Sequence, residues 1–346
     1  MKILFKKPSF VVPLSFLCLL LLASFLYEPI VGDKEIEKMA KYDENGELIG
    51  SAPFNVIEHP PLGTDRFGMP IHLKIIQGAK YTLIPSFLIS FLTVIVSFIV
   101  AIFYIHFLKK IHWIIEGIIN SMYFAPATII TFILLVPLQG YLDPAASPLL
   151  FIVVQMCIIT LVSIPPLVIL FAKDMNDVMK EEYIVASKTI GANGLFLYRK
   201  HIIPHLLKKI ILQFNQKTIE VLILITHLGF LHVYLGGYRL RELFFEEYRP
   251  FSLSNEWAGE IGRGYIDLAI TPWIIFSTVV ALALVIISIN LISKSIEEVF
   301  DVKSYSHKQI LETKQPASAE YRNIDIQSLP KEKFTFLNNR GVDSSF

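Results

Sequence analysis

The chain has 346 residues, of which 53% are hydrophobic and 18% are charged, and its formal net charge is +1. A chain without a basic domain or interleaved basic and aromatic residues is not typical of nucleic-acid-binding proteins, so we expect no nucleic-acid partner. Cys18 and Cys157 both lie inside apolar runs, which predicts neither a disulfide framework nor a metal site. The long apolar stretches instead predict an all-α integral membrane protein.

Several apolar stretches are long enough to cross a bilayer as helices, which takes about 20 residues each. We predict about six transmembrane helices, at residues 9–31, 82–108, 113–138, 148–172, 209–235 and 272–294. The first stretch follows Lys2, Lys6 and Lys7, as the apolar part of a signal peptide would. It is longer than such a segment and no A-x-A cleavage site follows, so we favour an uncleaved anchor.

The distribution of basic residues between loops predicts the orientation, because cytoplasmic loops are enriched in Lys and Arg. The N-terminus, the short loop with Lys109 and Lys110, and residues 173–209 are basic. Residues 28–81 and 236–271 carry more acidic residues than basic ones. We therefore expect both termini and the 173–209 segment to be cytoplasmic.

The same features predict how the chain is organised. The expected parts are an N-terminal transmembrane anchor (1–31), an outer loop (32–81), a five-helix core (82–296) that includes a cytoplasmic loop (174–208), and a polar cytoplasmic tail (297–346). The tail lacks sustained periodicity and is expected to be poorly ordered. No G-x-x-x-x-G-K-[ST] loop is present, so we do not expect this chain to hydrolyse ATP itself.

The cytoplasmic loop contains a charged segment, EEYIVASKTIGANGLFLYRKHIIPH, between two apolar runs. Glu182 lies in a predicted first helical turn, Gly191 stands where a helix would end, and Pro204 suits the first turn of the next helix. Ala186 and Ser187 are small enough for a partner to approach closely. The pattern predicts two short helices joined by a tight elbow. The alternative, an amphipathic helix pair that rests on lipid headgroups, is equally compatible with the spacing.

This segment resembles the coupling loop of the permease subunits of binding-protein-dependent ABC importers. The oligopeptide/dipeptide/nickel branch of that family reads E-Y-x-x-A-A-x-x-x-G-A and R-H-I-L-P. The matching residues are Glu182, Tyr183, Ala186, Gly191, Ala192, His201, Ile202 and Pro204. Ser187 stands at the second Ala position.

The resemblance extends over about residues 59–301. HPPLGTDRFGMPIHLKIIQGAKYTL (59–83) is similar to the outer segment of the second permease type of this branch, except that Met69 and Pro70 replace an Arg-Asp pair. LGFL (228–231) and EWAGEIGRGY (256–265) also fit the family pattern.

The resemblance implies an ABC importer type I permease fold in a bacterial cytoplasmic membrane. It implies as partners a second permease subunit, two cytoplasmic ATP-binding subunits, an extracellular solute-binding protein and the lipid bilayer. ATP would be used by the partner subunits, with no cofactor bound by this chain, and peptides are the expected cargo. The alternatives are a non-transporting membrane scaffold or signalling subunit that retains the docking loop, and an ATP-independent channel or carrier, which would need no elbow.

Polar side chains interrupt the predicted span 209–235, at Gln213, Gln216, Lys217 and Glu220. An ionisable group about 12 Å inside a span is costly unless it faces a partner or a wet cavity. These residues are therefore candidates for lining the translocation path. A structural ion pair between Lys217 and Glu220, or a span that starts near residue 219, would explain them equally well.

Overall fold

The structure is a computed structural model. It describes residues 4–31, 40–43, 45–108, 112–122, 125–141, 147–242 and 248–314. Lys109, Lys110 and the predicted tail beyond Lys314 therefore lie outside the described residues. The chain divides into two units, Met1–Glu298 and Val299–Phe346, and the second is described only as the end of one long helix. Most of the described chain is helical, which confirms the predicted fold class.

The elements follow one another in a simple order. The described helices are α1 (Pro8–Val31), α2 (Ile71–Phe107), α3 (His112–Met122), α4 (Ala127–Tyr141), α5 (Pro148–Val178), α6 (Glu182–Thr189), α7 (Gly194–Leu197), α8 (Ile203–Phe230), α9 (Trp257–Ile266) and α10 (Pro272–Lys314). The described strands are β1 (Ala40–Tyr42), β2 (Leu48–Ser51), β3 (Tyr238–Glu242) and β4 (Tyr248–Ser252), which form two antiparallel hairpins.

Within the described ranges, four helical segments are long and apolar enough to span a bilayer. They are Pro8–Val31, Ile71–Phe107, Leu149–Val178 and Pro272–Asp301. Ala127–Gln139 is a shorter apolar helix. Helix α8 has 28 residues, a sufficient length, but Lys208, Lys209, Lys217 and Glu220 interrupt its apolar sequence.

The predicted span 113–138 is divided in the structure, because α3 ends at Met122 and α4 begins at Ala127. Pro126 lies at this break, and a proline lacks the N–H that would continue a helix and restricts the residue before it. The boundaries of four other helices also differ from the prediction. Helix α5 ends at Val178 rather than at residue 172, and α8 spans Ile203–Phe230 rather than 209–235. Helix α2 begins at Ile71, inside the predicted outer loop, and α10 continues to Lys314, beyond the predicted start of the tail.

The two hairpins were not predicted. In the first, Tyr42 pairs with Leu48, and the turn between them contains Gly46 with a φ of 79°. Asn45-Gly46 is a common hairpin turn sequence, so this element had a local signal. The strands are only three and four residues long, and they interrupt a polar segment that lacks the alternation of a longer strand.

Helix α2 is at the centre of the packing and contacts α1, α5, α8 and α9. Helix α1 is fixed to it by Ser24, whose hydroxyl donates to the carbonyl of Gln77 (3.1 Å) and accepts from the N–H of Lys80 (3.0 Å). At the other end of α1, Lys7 forms an ion pair with Glu298 of α10 (2.8 Å). The N-terminal helix is therefore tied to the core at both of its ends.

Helices α8 and α9 approach each other through two glycines. A Cβ atom added to Gly262 of α9 would lie 2.0 Å from the backbone oxygen of Gly229 in α8. A Cβ on Gly229 would lie 2.2 Å from the backbone oxygen of Ala258. Both contacts involve backbone atoms, so a larger residue at either position would have to separate the helices.

We predict that Gly262→Ala lowers the free energy of unfolding by about 1–3 kcal/mol, because the new methyl group overpacks the contact with α8. Gly117→Ala is the matched control, since a Cβ at Gly117 in α3 meets nothing within 4 Å. It should change stability by about 1 kcal/mol or less. Unfolding midpoints in detergent micelles measure both, and equal effects of the two substitutions would contradict the close contact.

Candidate coupling elbow and translocation path

Helices α6 and α7 form an elbow, residues 182–204, that turns at Gly191. The φ angle of Gly191 is 96°, a left-handed conformation that favours glycine. The N–H of Ala192 donates to the carbonyl of Ser187 (3.1 Å), and the N–H of Gly191 donates to the carbonyl of Lys188 (3.0 Å). This pair of bonds is a Schellman motif, which ends α6 and fixes the direction of the chain that follows.

The elbow is attached to the membrane helices by a cluster of buried apolar side chains. Ile184 of α6 is fully buried, and Leu206 lies in the first turn of α8. The elbow contributes Ile184, Leu197, Tyr198 and Ile202, which pack with Leu206 of α8, with Val94, Ala101, Tyr104 and Ile105 of α2 and with Leu167, Val168, Phe171, Ala172, Met175 and Val178 of α5. Ala192 packs against the same cluster. A displacement of the elbow would therefore act directly on α2 and α5.

The outer surface of the elbow exposes large apolar side chains. Tyr183, Val185, Ile190 and Phe196 are 43%, 49%, 88% and 50% exposed. Among the other predicted coupling residues, Glu182 and Ala186 are exposed and Ser187 is half-buried. Exposed cations also lie on this segment, at Lys188, Arg199 and Lys200. Exposed apolar side chains beside charged ones mark a surface that contacts a protein or a membrane.

The elbow has two arms, residues 182–190 before the turn and 192–204 after it. The second arm continues into α8 without a break. A π-turn spans Tyr198–Ile202, and Pro204 lies in the first turn of α8. Pro204 has no N–H to donate to the preceding turn, so an irregular hydrogen-bond pattern before it is expected. The ring of His201, inside the π-turn, lies 5.9 Å from the ring of Tyr183 and so connects the two arms.

The predicted path residues of α8 lie together on the wall of a cavity. The cavity has a volume of about 700 Å³ and is bordered by three helices: α5, α8 and the first turn of α4. Its lining includes Gln213, Gln216, Lys217 and Glu220. The ammonium of Lys217 donates to Glu220, and Gln216 donates to the other carboxylate oxygen of Glu220 (3.3 Å). The ion pair between Lys217 and Glu220, which the sequence offered as an alternative explanation, is thus present, and its carboxylate side is half-exposed to the cavity.

A second cavity, of about 530 Å³, lies on the other side of the same polar stripe. It shares Gln213, Gln216 and Glu220 with the first cavity and is also lined by Asn290 of α10. The polar stripe of α8 therefore borders open space along both sides. Polar side chains in such a position face water or another protein rather than lipid.

Four charged side chains form a buried cluster that was not predicted. We call Asp65, Lys74, Glu260 and Arg263 the outer charge cluster. Lys74 lies 2.8 Å from Asp65 and 3.2 Å from Glu260, and Arg263 lies 2.5 Å from Glu260 and 3.4 Å from Asp65. All four are at least nine-tenths buried. Each charge thus meets two opposite charges, and the formal charges cancel within the cluster.

Asp65 is the anchor of this cluster. Its carboxylate also accepts the backbone N–H groups of Phe67 and Met69, both at 2.9 Å. Burial alone would raise the pKa of Asp65, but Lys74 and Arg263 outweigh burial and hold that pKa below its usual value. The stabilisation is present above the ordinary pKa of an aspartate, about 3.9, and is lost as the pH falls through the lower pKa of the folded state.

Glu256, next to the cluster, shows the opposite shift. Its side chain accepts from the N–H groups of Gly259 and Leu235 and so caps α9. Burial raises the pKa of Glu256 to about 8. The difference from Asp65 arises because none of the cations in the described part of the chain offsets the burial of Glu256.

The sequence signal for the cluster was divided between two motifs. Asp65 belongs to the GTD motif and Lys74 follows it, whereas Glu260 and Arg263 belong to EWAGEIGRGY. Nothing in either spacing indicates that the motifs meet. Lys74 was also assigned to a loop, where a lysine needs no partner.

Comparison with known proteins identifies the family. Residues 93–303 match the family described as "Binding-protein-dependent transport system inner membrane component". This match covers more than half of the chain. The chain belongs to this family of ABC importer permeases. The predicted family is thus confirmed, and the matched region contains the elbow, the cavity wall and α9.

Two relatives extend the comparison. The "Peptide transport system permease protein SapC" of Escherichia coli and that of Shigella flexneri are each 20% identical to this chain over 235 residues. The alignment spans 68% of this permease and 71% of each relative. The chain is therefore a multi-pass membrane permease subunit.

We predict that Lys74→Met lowers the free energy of unfolding by about 3–5 kcal/mol, because it leaves Asp65 and Glu260 sharing one cation in a buried site. Lys180→Met is the control, since the Lys180–Asp177 pair is exposed, and it should cost less than about 1 kcal/mol. The double variant Lys74→Met with Glu260→Gln should recover part of the loss, because Asp65 and Arg263 then remain as a pair. Unfolding in detergent micelles measures all three, and a small effect of Lys74→Met would contradict the cluster.

Proposed function

We propose that this permease forms a peptide translocation path together with a second permease subunit and is driven by two cytoplasmic ATPases that bind its elbow. The observation that carries the proposal is the elbow itself, which exposes an apolar surface and is rigidly attached to α2 and α5. A helix pair that only rested on headgroups would not require burial of Ile184 and Ile202 against two membrane helices. The surface suits a cleft in a partner protein.

The proposed mechanism follows from the two faces of the elbow. The exposed face, with Tyr183, Ile190 and Phe196, would lie in a cleft of an ATPase subunit. ATP binding brings the two ATPases together, and each elbow would move with its ATPase. Because the buried face packs on α2 and α5, this movement would rotate the helices as a rigid body and open or close the path. Gly191 provides the turn, and the small side chains of Ala186 and Ser187 permit close docking.

The polar stripe of α8 would form one wall of the path. Gln213 and Gln216 offer amide donors and acceptors, which match the groups of a peptide backbone. Lys217 and Glu220 would meet the terminal carboxylate and ammonium groups of a peptide. Peptides are the proposed cargo because SapC, which resembles this chain, is a peptide transport permease. The second permease would close the cavities that border this stripe.

The proposed orientation places the elbow and both termini in the cytoplasm of a bacterial cell. The basic residues of the elbow support this side, as cytoplasmic loops are enriched in Lys and Arg. Residues 32–81 and the segment between α8 and α10 would then face outward. There they would receive a solute-binding protein, which the family requires as a partner.

We predict that the tagged wild-type protein co-purifies with a second permease and an ATPase, whereas Gly191→Pro retains the second permease and loses the ATPase. Proline fixes φ near −65° and removes the N–H that Gly191 donates to Lys188, so the Schellman turn cannot form. Gly194→Ala is the control, because a Cβ at Gly194 meets nothing within 4 Å. Recovery of the wild-type protein without an ATPase would instead favour a non-transporting scaffold.

We predict that Gln216→Cys reacts with a hydrophilic thiol reagent at least about tenfold faster than Leu161→Cys, in a background with Cys18→Ser and Cys157→Ser. Gln216 faces the cavities of α8, whereas Leu161 is 65% exposed on an apolar part of α5 and should face lipid. A thiol is labelled as its thiolate, which forms in water and not in hydrocarbon. Equal labelling rates would contradict the assignment of the α8 stripe to the path.

A further inference from the structure

The first hairpin and the turn that follows it expose an unusual set of apolar side chains. Tyr42, Leu48, Ile49 and Ile57 are 64%, 60%, 68% and 90% exposed, and we call these four residues the outer platform. Tyr42 and Leu48 are directly paired across the hairpin, so their side chains lie on the same face of the two strands. Such a cluster outside the predicted spans is typical of a protein interaction surface.

The turn that presents Ile57 is held by specific hydrogen bonds. The side-chain oxygen of Asn55 accepts the N–H groups of Ile57 and Glu58, both at 2.9 Å. The ammonium of Lys41 in β1 donates to the carbonyl of Glu58 (2.9 Å), which joins the turn to the hairpin. Ile57 is therefore exposed by a defined local structure. The hydrogen bond from Lys41 therefore fixes the position of the turn relative to the hairpin.

The platform is connected to the core through a short series of contacts. The backbone of Phe54 exchanges hydrogen bonds with Thr64, and the indole of Trp273 at the start of α10 donates to the carbonyl of Thr64 (3.1 Å). Asp65, the next residue, belongs to the outer charge cluster with α9. Through Gly262 and Gly229, α9 in turn contacts α8, which carries the polar stripe. A partner bound at the platform would thus be linked mechanically to the path.

The charge around the platform restricts its partner. Among the described residues between 40 and 58, Asp43, Glu47 and Glu58 are acidic against one lysine, Lys41, and both Glu47 and Glu58 are exposed. An acidic surface is repelled by anionic lipid headgroups, and two identical copies would repel each other. A partner with an apolar patch and a basic rim would satisfy both the apolar centre and the acidic surroundings.

We propose that the outer platform docks the solute-binding protein of this importer, through an apolar patch rimmed by basic residues on that protein. This inference rests on the proposed function and on the outward orientation of residues 32–81. It adds the docking surface on this subunit, the chemistry of the partner and the series of contacts by which docking reaches α8.

The first test is photo-crosslinking in cells, with a photoreactive amino acid at position 57 and, as a control, at position 270. Ile270 is 65% exposed in the segment between α9 and α10, outside the platform. The expected result is an adduct at position 57 that mass spectrometry identifies as a solute-binding protein, with no such adduct at position 270. An adduct of position 57 with lipid, the second permease or another copy of this chain would overturn the proposal.

The second test measures binding of the purified solute-binding protein, identified in this way or encoded with the transporter, to the complete transporter in lipid nanodiscs. Ile57→Glu should weaken binding at least about tenfold, as expected for an apolar residue at the centre of an interface. Glu47→Lys should weaken binding and reduce its dependence on salt, because it removes an attraction to the basic rim. Ile270→Glu should have less than about a twofold effect.

The outcomes separate this inference from the proposed function. If Ile57→Glu still co-purifies with the ATPase and the second permease but binds the solute-binding protein as tightly as the wild type, the platform proposal fails and the proposed function stands. If the wild-type transporter binds neither an ATPase nor a solute-binding protein, both fail. Because Ile57 is almost fully exposed, its substitution should not affect folding.

Discussion

The half of this permease that contains α9 and the start of α2 depends on the neutralisation of buried charge. Asp65 and Lys74 come from the segment that opens α2, and Glu260 and Arg263 come from α9, almost two hundred residues later in the chain. None of the four could be buried without the others, because an isolated charge in a site of low dielectric is strongly unfavourable. The pairing therefore specifies which segments meet. It fixes α9 beside the start of α2, and the glycine contact then brings α8 against α9.

Helix α2 connects this cluster to the elbow. It has 37 residues, a length of about 55 Å at 1.5 Å per residue. Lys74 lies in its first turns, whereas Ala101, Tyr104 and Ile105 near its other end pack with the elbow. The two regions proposed to receive partners, one outside and one in the cytoplasm, are thus attached to opposite ends of a single helix. A rigid helix in this arrangement would transmit movement between the two proposed partner-binding regions without a flexible segment between them.

Short sequence patterns predicted the elements that are determined by interactions between residues close together in the chain. The turn at Gly191 followed from a glycine after a short helical pattern, and the apolar runs indicated four of the long helices. The prediction was less accurate where tertiary contacts decide the outcome. Lys74 and Lys80 interrupt the apolar pattern, so the start of α2 was predicted too late in the sequence. In the structure each lysine has an acidic partner, Asp65 and Glu260 for Lys74 and Glu28 for Lys80. The outer charge cluster was missed for the same reason, since its two motifs are distant in sequence and each is unremarkable alone.

Helix α8 shows why apolarity alone is an incomplete guide to a transport protein. A helix with Gln213, Gln216, Lys217 and Glu220 along one stripe is too polar to be surrounded by lipid, yet its other face packs in the core through Leu222 and Ile225. A helix of this composition suits a membrane only if its polar stripe borders cavities, and the structure has cavities on both sides of that stripe. At one end α8 continues from the elbow through Pro204, and near the other it contacts α9 at Gly229. Among the described helices of 18 or more residues, the one that is too polar to be surrounded by lipid is therefore the one that meets the elbow, α9 and the cavities, as expected if the path and its control share one element.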